Sequence, residues 1–329
     1  VKGETGSLAD LLRPVLDTYR DSALAVVGCR SADIARESCE IDAVVVSDER
    51  RRATSFRLGT GFCDLGFVTE KESLSPADPE TALSLAQAKV VRDSGLILST
   101  SVAANQAVMA RRAAQASQLR LTACLKSLSR ADEALAKRSR RDASFWVLSS
   151  AYDFARSWLY SMEVIPSPSH LLAQLKEHSK GGRASFEAFA GGAGLGIASR
   201  RVCGDRLEGL SLLHDLLPGT RTAAVSPGAG APGVAFMIIR SKAEQLSSLR
   251  EHAEGYSFLG LEVVNAVLAV GRGRRSPGWG DLLSSMSGEG GGLLSGRLVR
   301  ELGLERPLAE AETATLELKD RAAKLARRI

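Results

Sequence analysis

The chain has 329 residues, 44% hydrophobic and 25% charged, with a formal net charge of +5. That length points to two domains of ordinary globular composition. No apolar run approaches the roughly 20 residues that span a bilayer, and no basic segment leads into an apolar one at the start, so a soluble, cytoplasmic protein without membrane contact is expected. The 43 basic residues are interspersed with 38 acidic ones, which favours anionic partners only weakly, and 5% aromatics offer little for stacking bases along a single strand.

Ser7 as N-cap, followed by Leu8, Leu11, Leu12, Val15 and Leu16 at helical spacing, predicts a helix to about Tyr19. Residues 23–27 read as a short apolar strand ending at Gly28, and residues 41–46 as a β-branched strand buried on both faces. Residues 62–68 form a third strand after the Gly59-Thr60-Gly61 turn. "SPADPE" at 75–80 opens a helix over 81–90, and 90–99 reads as a last strand or hairpin. Residues 1–103 are therefore expected to form a small mixed α/β domain.

Beyond it the periodicity turns helical, over 103–135, 143–163, 170–178, 207–217, 242–270 and 307–328. Glycine-rich connectors at 181–196, 227–233 and 288–292 separate these segments, and no internal repeat suggests a solenoid. The expectation is an α+β protein: an N-terminal mixed sheet with flanking helices, then an all-helical domain over 104–329. The five cysteines (29, 39, 63, 124 and 203) form no C-x-x-C pair, so buried reduced thiols are expected rather than a disulfide framework or a thiolate metal site.

The chemistry-bearing stretch is 26–47, "VVGCRSADIARESCEIDAVVVS". Glu40 and Asp42 stand two apart at the mouth of a strand, so both side chains point to one face. Asp64 interrupts the next predicted strand. If the two strands are antiparallel neighbours, the three carboxylates converge within reach of a divalent ion, and Mg²⁺ (or Mn²⁺) suits such hard oxygen ligands. Gly28 supplies a tight turn that a ligand can approach closely, and the backbone N–H groups of Cys29 and Arg30 on that turn could cradle a triphosphate.

A hydrophobic strand, Gly28 with Arg30, then Glu40-Ile41-Asp42 opening a strand and Asp64 on a later one, resembles the nucleotidyltransferase superfamily that includes DNA polymerase β, kanamycin nucleotidyltransferase and the minimal nucleotidyltransferases. The motif covers about 40 residues. The resemblance implies a nucleotidyltransferase-type sheet and transfer of a nucleoside monophosphate from an NTP to an acceptor, with pyrophosphate released. It implies that Glu40 and Asp42 hold two metal ions and that Asp64 completes the acceptor-side metal and takes the acceptor's proton. Gly28, Cys29 and Arg30 would bind the nucleotide. The acceptor stays open among small molecule, RNA and protein, and so does a homodimer. Cys29 stands where the pattern has Ser, and Glu40 where it has Asp. These departures sustain a second reading, a weak or inactive relative acting as a nucleotide- or nucleic-acid-binding regulatory module.

Three further features are expected to be structural. Arg50-Arg51-Arg52, residues 137–141 and "RGRR" at 272–275 read as solvated loops and a helix face. The aromatics between Phe145 and Trp158 read as helical core, and the 191–196 glycine tract lacks the Lys-Ser/Thr ending of a phosphate loop.

Overall fold

Alternation of buried and half-buried side chains along two central strands builds the part of the sheet that carries the chemistry. The computed structural model describes residues 8–37, 39–48, 51–93, 95–179, 182–215, 234–272, 283 and 296–329. The chain divides into two units, Val1–Ala113 with Ala223–Ile238, and Ala114–Thr222 with Ile239–Ile329. A five-stranded mixed sheet lies in the first and the second is helical, which is the α+β class expected from the sequence.

The strands are β1 (Leu24–Val27), β2 (Ile41–Val46), β3 (Thr54–Leu58), β4 (Gly61–Val68) and β5 (Lys89–Arg92), in the order β3-β4-β2-β1-β5. β1 runs antiparallel to β2 and β5, and β3 antiparallel to β4, but β2 and β4 are parallel. The expected antiparallel pairing of the two acid-bearing strands is therefore corrected. Strand β3, absent from the sequence reading, reverses the chain once, so β4 returns in the direction of β2. "TSFRL" lies at the edge with no buried residue, which explains its faint hydrophobic signal.

On β2, Ile41, Ala43 and Val45 are buried, whereas Asp42 and Val44 are half-buried; on β4, Cys63 and Leu65 are buried and Asp64 is half-buried. The expectation of burial on both faces of residues 41–46 thus holds only at Val45 and Val46, where the alternation ends. One face packs Leu24, Val26, Ile41, Val45 and Leu65 against Leu12 and Val15 of the N-terminal segment. That segment is two short helices, α1 (Leu8–Leu11) and α2 (Arg13–Thr18), rather than one. Each such side chain taken from water contributes about 1.5–3 kcal/mol. The other face is covered at one end by Leu98 against Ala23, Ala25 and Val46, and the acids lie toward its opposite end.

After β4 come α3 (Glu70–Leu74), which opens on a Thr69/Glu72 capping box, and α4 (Pro79–Ala86), capped by Asp78. β5 ends at Arg92, whose guanidinium donates to the carbonyls of Leu16, Tyr19 and Ser22. The next element is α5 (Ile97–Gln106), so the last strand expected over 90–99 holds at 90–92, within β5, and is corrected beyond it: Asp93 accepts from the backbone N–H of Leu98 (3.1 Å) and Ser99 (2.7 Å) and starts a helix. Burial opposes ionisation of Asp93, but the hydrogen bonds from Ser99, Leu98 and Ile97 outweigh it and hold the carboxyl below its ordinary value.

The remaining helices are α6 (Met109–Ala136), α7 (Arg140–Tyr160), α8 (Leu171–His178), α9 (Arg183–Ala193), α10 (Arg200–His214), α11 (Val234–Ser248), α12 (His252–Arg272), α13 (Gly296–Glu301) and α14 (Leu308–Ala326). Helix α7 is buried almost all round, and Phe145, Trp146, Tyr152, Phe154 and Trp158 are core, as expected. The connector expected over 181–196 is corrected, since most of it is α9. A Cβ on Gly192 would lie 2.8 Å from the Ala151 Cβ and 2.9 Å from Leu318 Cδ1, so the glycine permits close helix packing. The single helix expected over 242–270 is two, because Arg250 turns left-handed (φ +59) and ends α11. The tracts at 227–233 and 288–292, and all of "RGRR" except Arg272, lie outside the described residues.

Arg140 donates to the carbonyls of Arg306 (2.6 Å) and Glu305 (2.8 Å), and Arg141 pairs with the Glu305 carboxylate (3.3 Å). That basic cluster is therefore a tertiary tie rather than a solvated face. Among the described residues, one helical stretch, His252–Gly271, has the length and mean hydropathy (1.3) to cross a membrane, which the sequence reading did not expect; 67% of its apolar window is buried inside the protein.

Arg206 is fully buried and donates to the Leu302 carbonyl (3.2 Å), the Tyr256 carbonyl (3.1 Å) and the Tyr256 hydroxyl (2.7 Å). Arg206→Met leaves those carbonyls without their donor, at about 1–3 kcal/mol each, and should lower the urea midpoint with little change in slope. Asp93 gives a pH signature. Its depressed folded value means that its contribution is present above the unfolded pKa of about 3.9 and is lost as pH falls through the folded value. Stability measured from pH 7 down to acid should therefore fall more steeply in the wild type than in Asp93→Asn.

Candidate functional site

β1 ends at Val27, directly opposite Asp42 across the β1–β2 ladder. Gly28 then takes φ +72 and opens a 3₁₀ turn over Gly28–Arg30. Its carbonyl accepts from the Ser31 hydroxyl (2.8 Å) and the Ala32 N–H (3.2 Å), which closes the turn. A Cβ at residue 28 would run into the Asp42 carboxylate. Glycine is needed there for both its dihedral and its size, and it brings the turn against the acid.

Asp42 and Asp64 are in direct register across the parallel β2–β4 pair, and Ser55 of β3 stands opposite Asp64. Glu40, half-buried, sits two residues before Asp42. One carboxylate oxygen from each of Glu40, Asp42 and Asp64 lies within 4.8 Å of the other two. All three acids singled out in the sequence are therefore brought together, by parallel rather than antiparallel pairing. Oε2 of Glu40 and Oδ1 of Asp64 are buried and accept no hydrogen bond, while both residues keep further interactions.

Arg30 points back along its own loop. Its Nε donates to the Glu40 carbonyl (3.0 Å) and its Nη2 to the Cys39 carbonyl (2.5 Å). Two of its three nitrogens thus pin the segment that carries Glu40. Cys29 also turns inward: it is buried and shares a hydrogen bond with Cys39, whose Sγ accepts from the Arg36 N–H at 3.2 Å. That bond and burial, followed by the negative charges of Asp42 and Glu40, push the Cys29 thiol far above its ordinary pKa. Cys63, behind Asp64, is pushed up to about 12 by burial and then by Asp64 and Asp42. Beside the turn the three carboxylates supply oxygen donors. Three converging carboxylate oxygens fit a hard divalent cation such as Mg²⁺ or Mn²⁺.

Lys89, at the start of β5, is the residue that sequence reasoning missed. Its Nζ lies 2.5 Å from Asp33 Oδ1 and 3.4 Å from the Arg30 carbonyl, placing a cation beside the turn. It comes from a strand 59 residues beyond Arg30, and no local spacing links the two. Of the arginine run at 50–52, Arg51 and Arg52 are exposed, as expected of a solvated loop, Arg51 stands 6.0 Å from the rings of Tyr19 and Phe67, and Arg50 lies outside the described residues. Cavities of about 540 and 330 Å³ in this unit open at the other end of β2, beside Asp48 and Glu70, and include none of the three acids.

No family model and no curated protein matches the chain. Among solved structures it is similar to a nucleotidyltransferase-like protein from Exiguobacterium sibiricum 255-15, with 12% identity over 83% of this chain and 82% of that one, at a TM-score of 0.36.

Gly28→Ala should test the contact between turn and acid. A side chain at φ +72 costs about 1–3 kcal/mol, and displacement of Asp42 should weaken Mn²⁺ binding measured by calorimetry. A variant with wild-type Mn²⁺ affinity would show that the Gly28–Asp42 contact is not needed for the site.

Proposed function

We propose that the α/β unit is the catalytic centre of a divalent-metal-dependent nucleotidyltransferase, which moves a nucleoside monophosphate from an NTP to an acceptor. The observation that carries this reading is the convergence of Glu40, Asp42 and Asp64 next to a glycine turn on one sheet face. Glu40, Asp42 and Asp64 would hold the metal ions, which when bound would neutralise the triphosphate and support in-line displacement.

The chain's own residues take up the rest of the chemistry. Gly28 leaves the turn bare, so the backbone N–H groups of Cys29 and Arg30 would face the polyphosphate. Arg30, through the Cys39 and Glu40 carbonyls, holds Glu40 at its post. In the reaction the acceptor oxygen bonds to the α-phosphorus, the bond from that phosphorus to the bridging oxygen breaks, and pyrophosphate leaves with the electron pair. Asp64 is the carboxylate assigned to take the acceptor's proton.

The inward turn of Cys29 favours one competing reading, a module that binds nucleotide without turnover. A thiol bonded to Cys39 cannot offer the hydroxyl contact that the resembling pattern supplies with Ser. Incubation with labelled NTPs and Mg²⁺ or Mn²⁺ separates the two. The transferase reading expects label transfer or pyrophosphate release that falls at least about 100-fold in Asp42→Asn, the order of effect of removing an essential electrostatic group. Nucleotide binding that is unchanged without any divalent ion, and without turnover, would favour the module.

A further inference from the structure

The helical unit contains a second constellation that nucleotidyl transfer does not use. Helices α10 and α12 pack side by side in the same direction: the Cys203 thiol donates to the His252 carbonyl (3.4 Å), and three residues on Arg206 donates to the Tyr256 carbonyl (3.1 Å). Parallel neighbours place their N-termini together, and each end carries partial positive charge and N–H groups without intrahelical partners. The first turn of α10 holds Arg200 and Arg201 and no acid, the reverse of what the helix dipole favours.

These two ends open on a cavity of about 430 Å³ lined by Arg200, Glu244, Ser247, Ser248, Arg250 and His252. Its one carboxylate, Glu244, is engaged by Arg240 at 2.7 Å. Among the described residues, neither Arg200 nor Arg250 has a carboxylate partner. The Ser248 hydroxyl donates to the Gln245 carbonyl (2.7 Å), so of the two serines Ser247 is the one with a donor to offer. The C-terminal end of α11 also borders the cavity, but its carbonyls at Gln245, Leu246 and Ser247 accept from Leu249, Glu251 and Arg250, so its negative end is satisfied.

We infer that this cavity binds a small phosphate-bearing anion, held by Arg200 and Arg250 with the Ser247 hydroxyl as a hydrogen-bonding partner. The volume and concavity suit a small molecule rather than a nucleic-acid backbone, and planar guanidinium groups match phosphate oxygens. The inference does not depend on the carboxylate site of the other unit.

Calorimetry with inorganic pyrophosphate in EDTA, which silences any divalent-ion site, tests it directly. The expected result is binding that weakens at least about tenfold in Arg200→Gln/Arg250→Asn, given the strength of charge-assisted hydrogen bonds, and is unchanged in Asp42→Asn. Asn tolerates the left-handed backbone of residue 250, and circular dichroism checks that the double variant is folded. Absence of binding to the wild type, retention in the double variant, or loss in Asp42→Asn would each overturn the inference. So would a short single-stranded oligonucleotide that binds more tightly than pyrophosphate and is lost in the same double variant, since that result would mark a nucleic-acid surface.

Discussion

The register of β2 against β4 is the constraint on which the candidate site depends. Parallel pairing puts Asp42 beside Asp64 on the face away from Leu12 and Val15. A slip of β2 by one residue would turn its side chains over, burying Asp42 and exposing Ile41, Ala43 and Val45 while Asp64 stayed in place. The apolar core on one face therefore fixes the positions of the acids on the other. Repulsion among the carboxylates works against that arrangement, and burial of the opposite face offsets it.

The second constraint is local and acts on the chain before β2. Gly28 lets the turn lie against Asp42, and the Arg30 guanidinium then ties residues 39 and 40 back to the turn. The cysteines serve the same purpose, since Cys29 and Cys39 face each other inside the loop instead of lining a ligand surface. The charge that crowds 26–47 is accordingly divided. Some of it is directed at the site, and some, including Arg30 and the Asp33–Lys89 pair, organises the loop that presents it.

Much of this was legible in the sequence because the signals are local. Strands ending at Gly28 and opening at Ile41 were readable from apolar runs, and Glu40, Asp42 and Asp64 from their interruption of those runs. The pairing direction was not legible, because it hinges on β3, whose five residues include no buried one. Nor was the approach of Lys89, which is set by β1–β5 pairing across a long span. Glycines misled where they serve packing: Gly192 lies inside a helix, pressed on Ala151 and Leu318, in a stretch that composition alone reads as a connector. Arg206 is silent in sequence because a buried guanidinium satisfied by carbonyls leaves no pattern of its own.

The three acids do not share one mechanical footing. Asp42 and Asp64 are mounted on neighbouring strands locked by a ladder of hydrogen bonds, whereas Glu40 rides on a loop held by the two contacts from Arg30. The sheet thus sets a fixed gauge for two of the acids and leaves the third on a softer mount with one extra methylene of reach. If the three acids hold a cation as proposed, such a combination would accommodate ions of different radius through displacement of Glu40 alone. Ionic size would be absorbed at the loop, and the strands would keep their spacing.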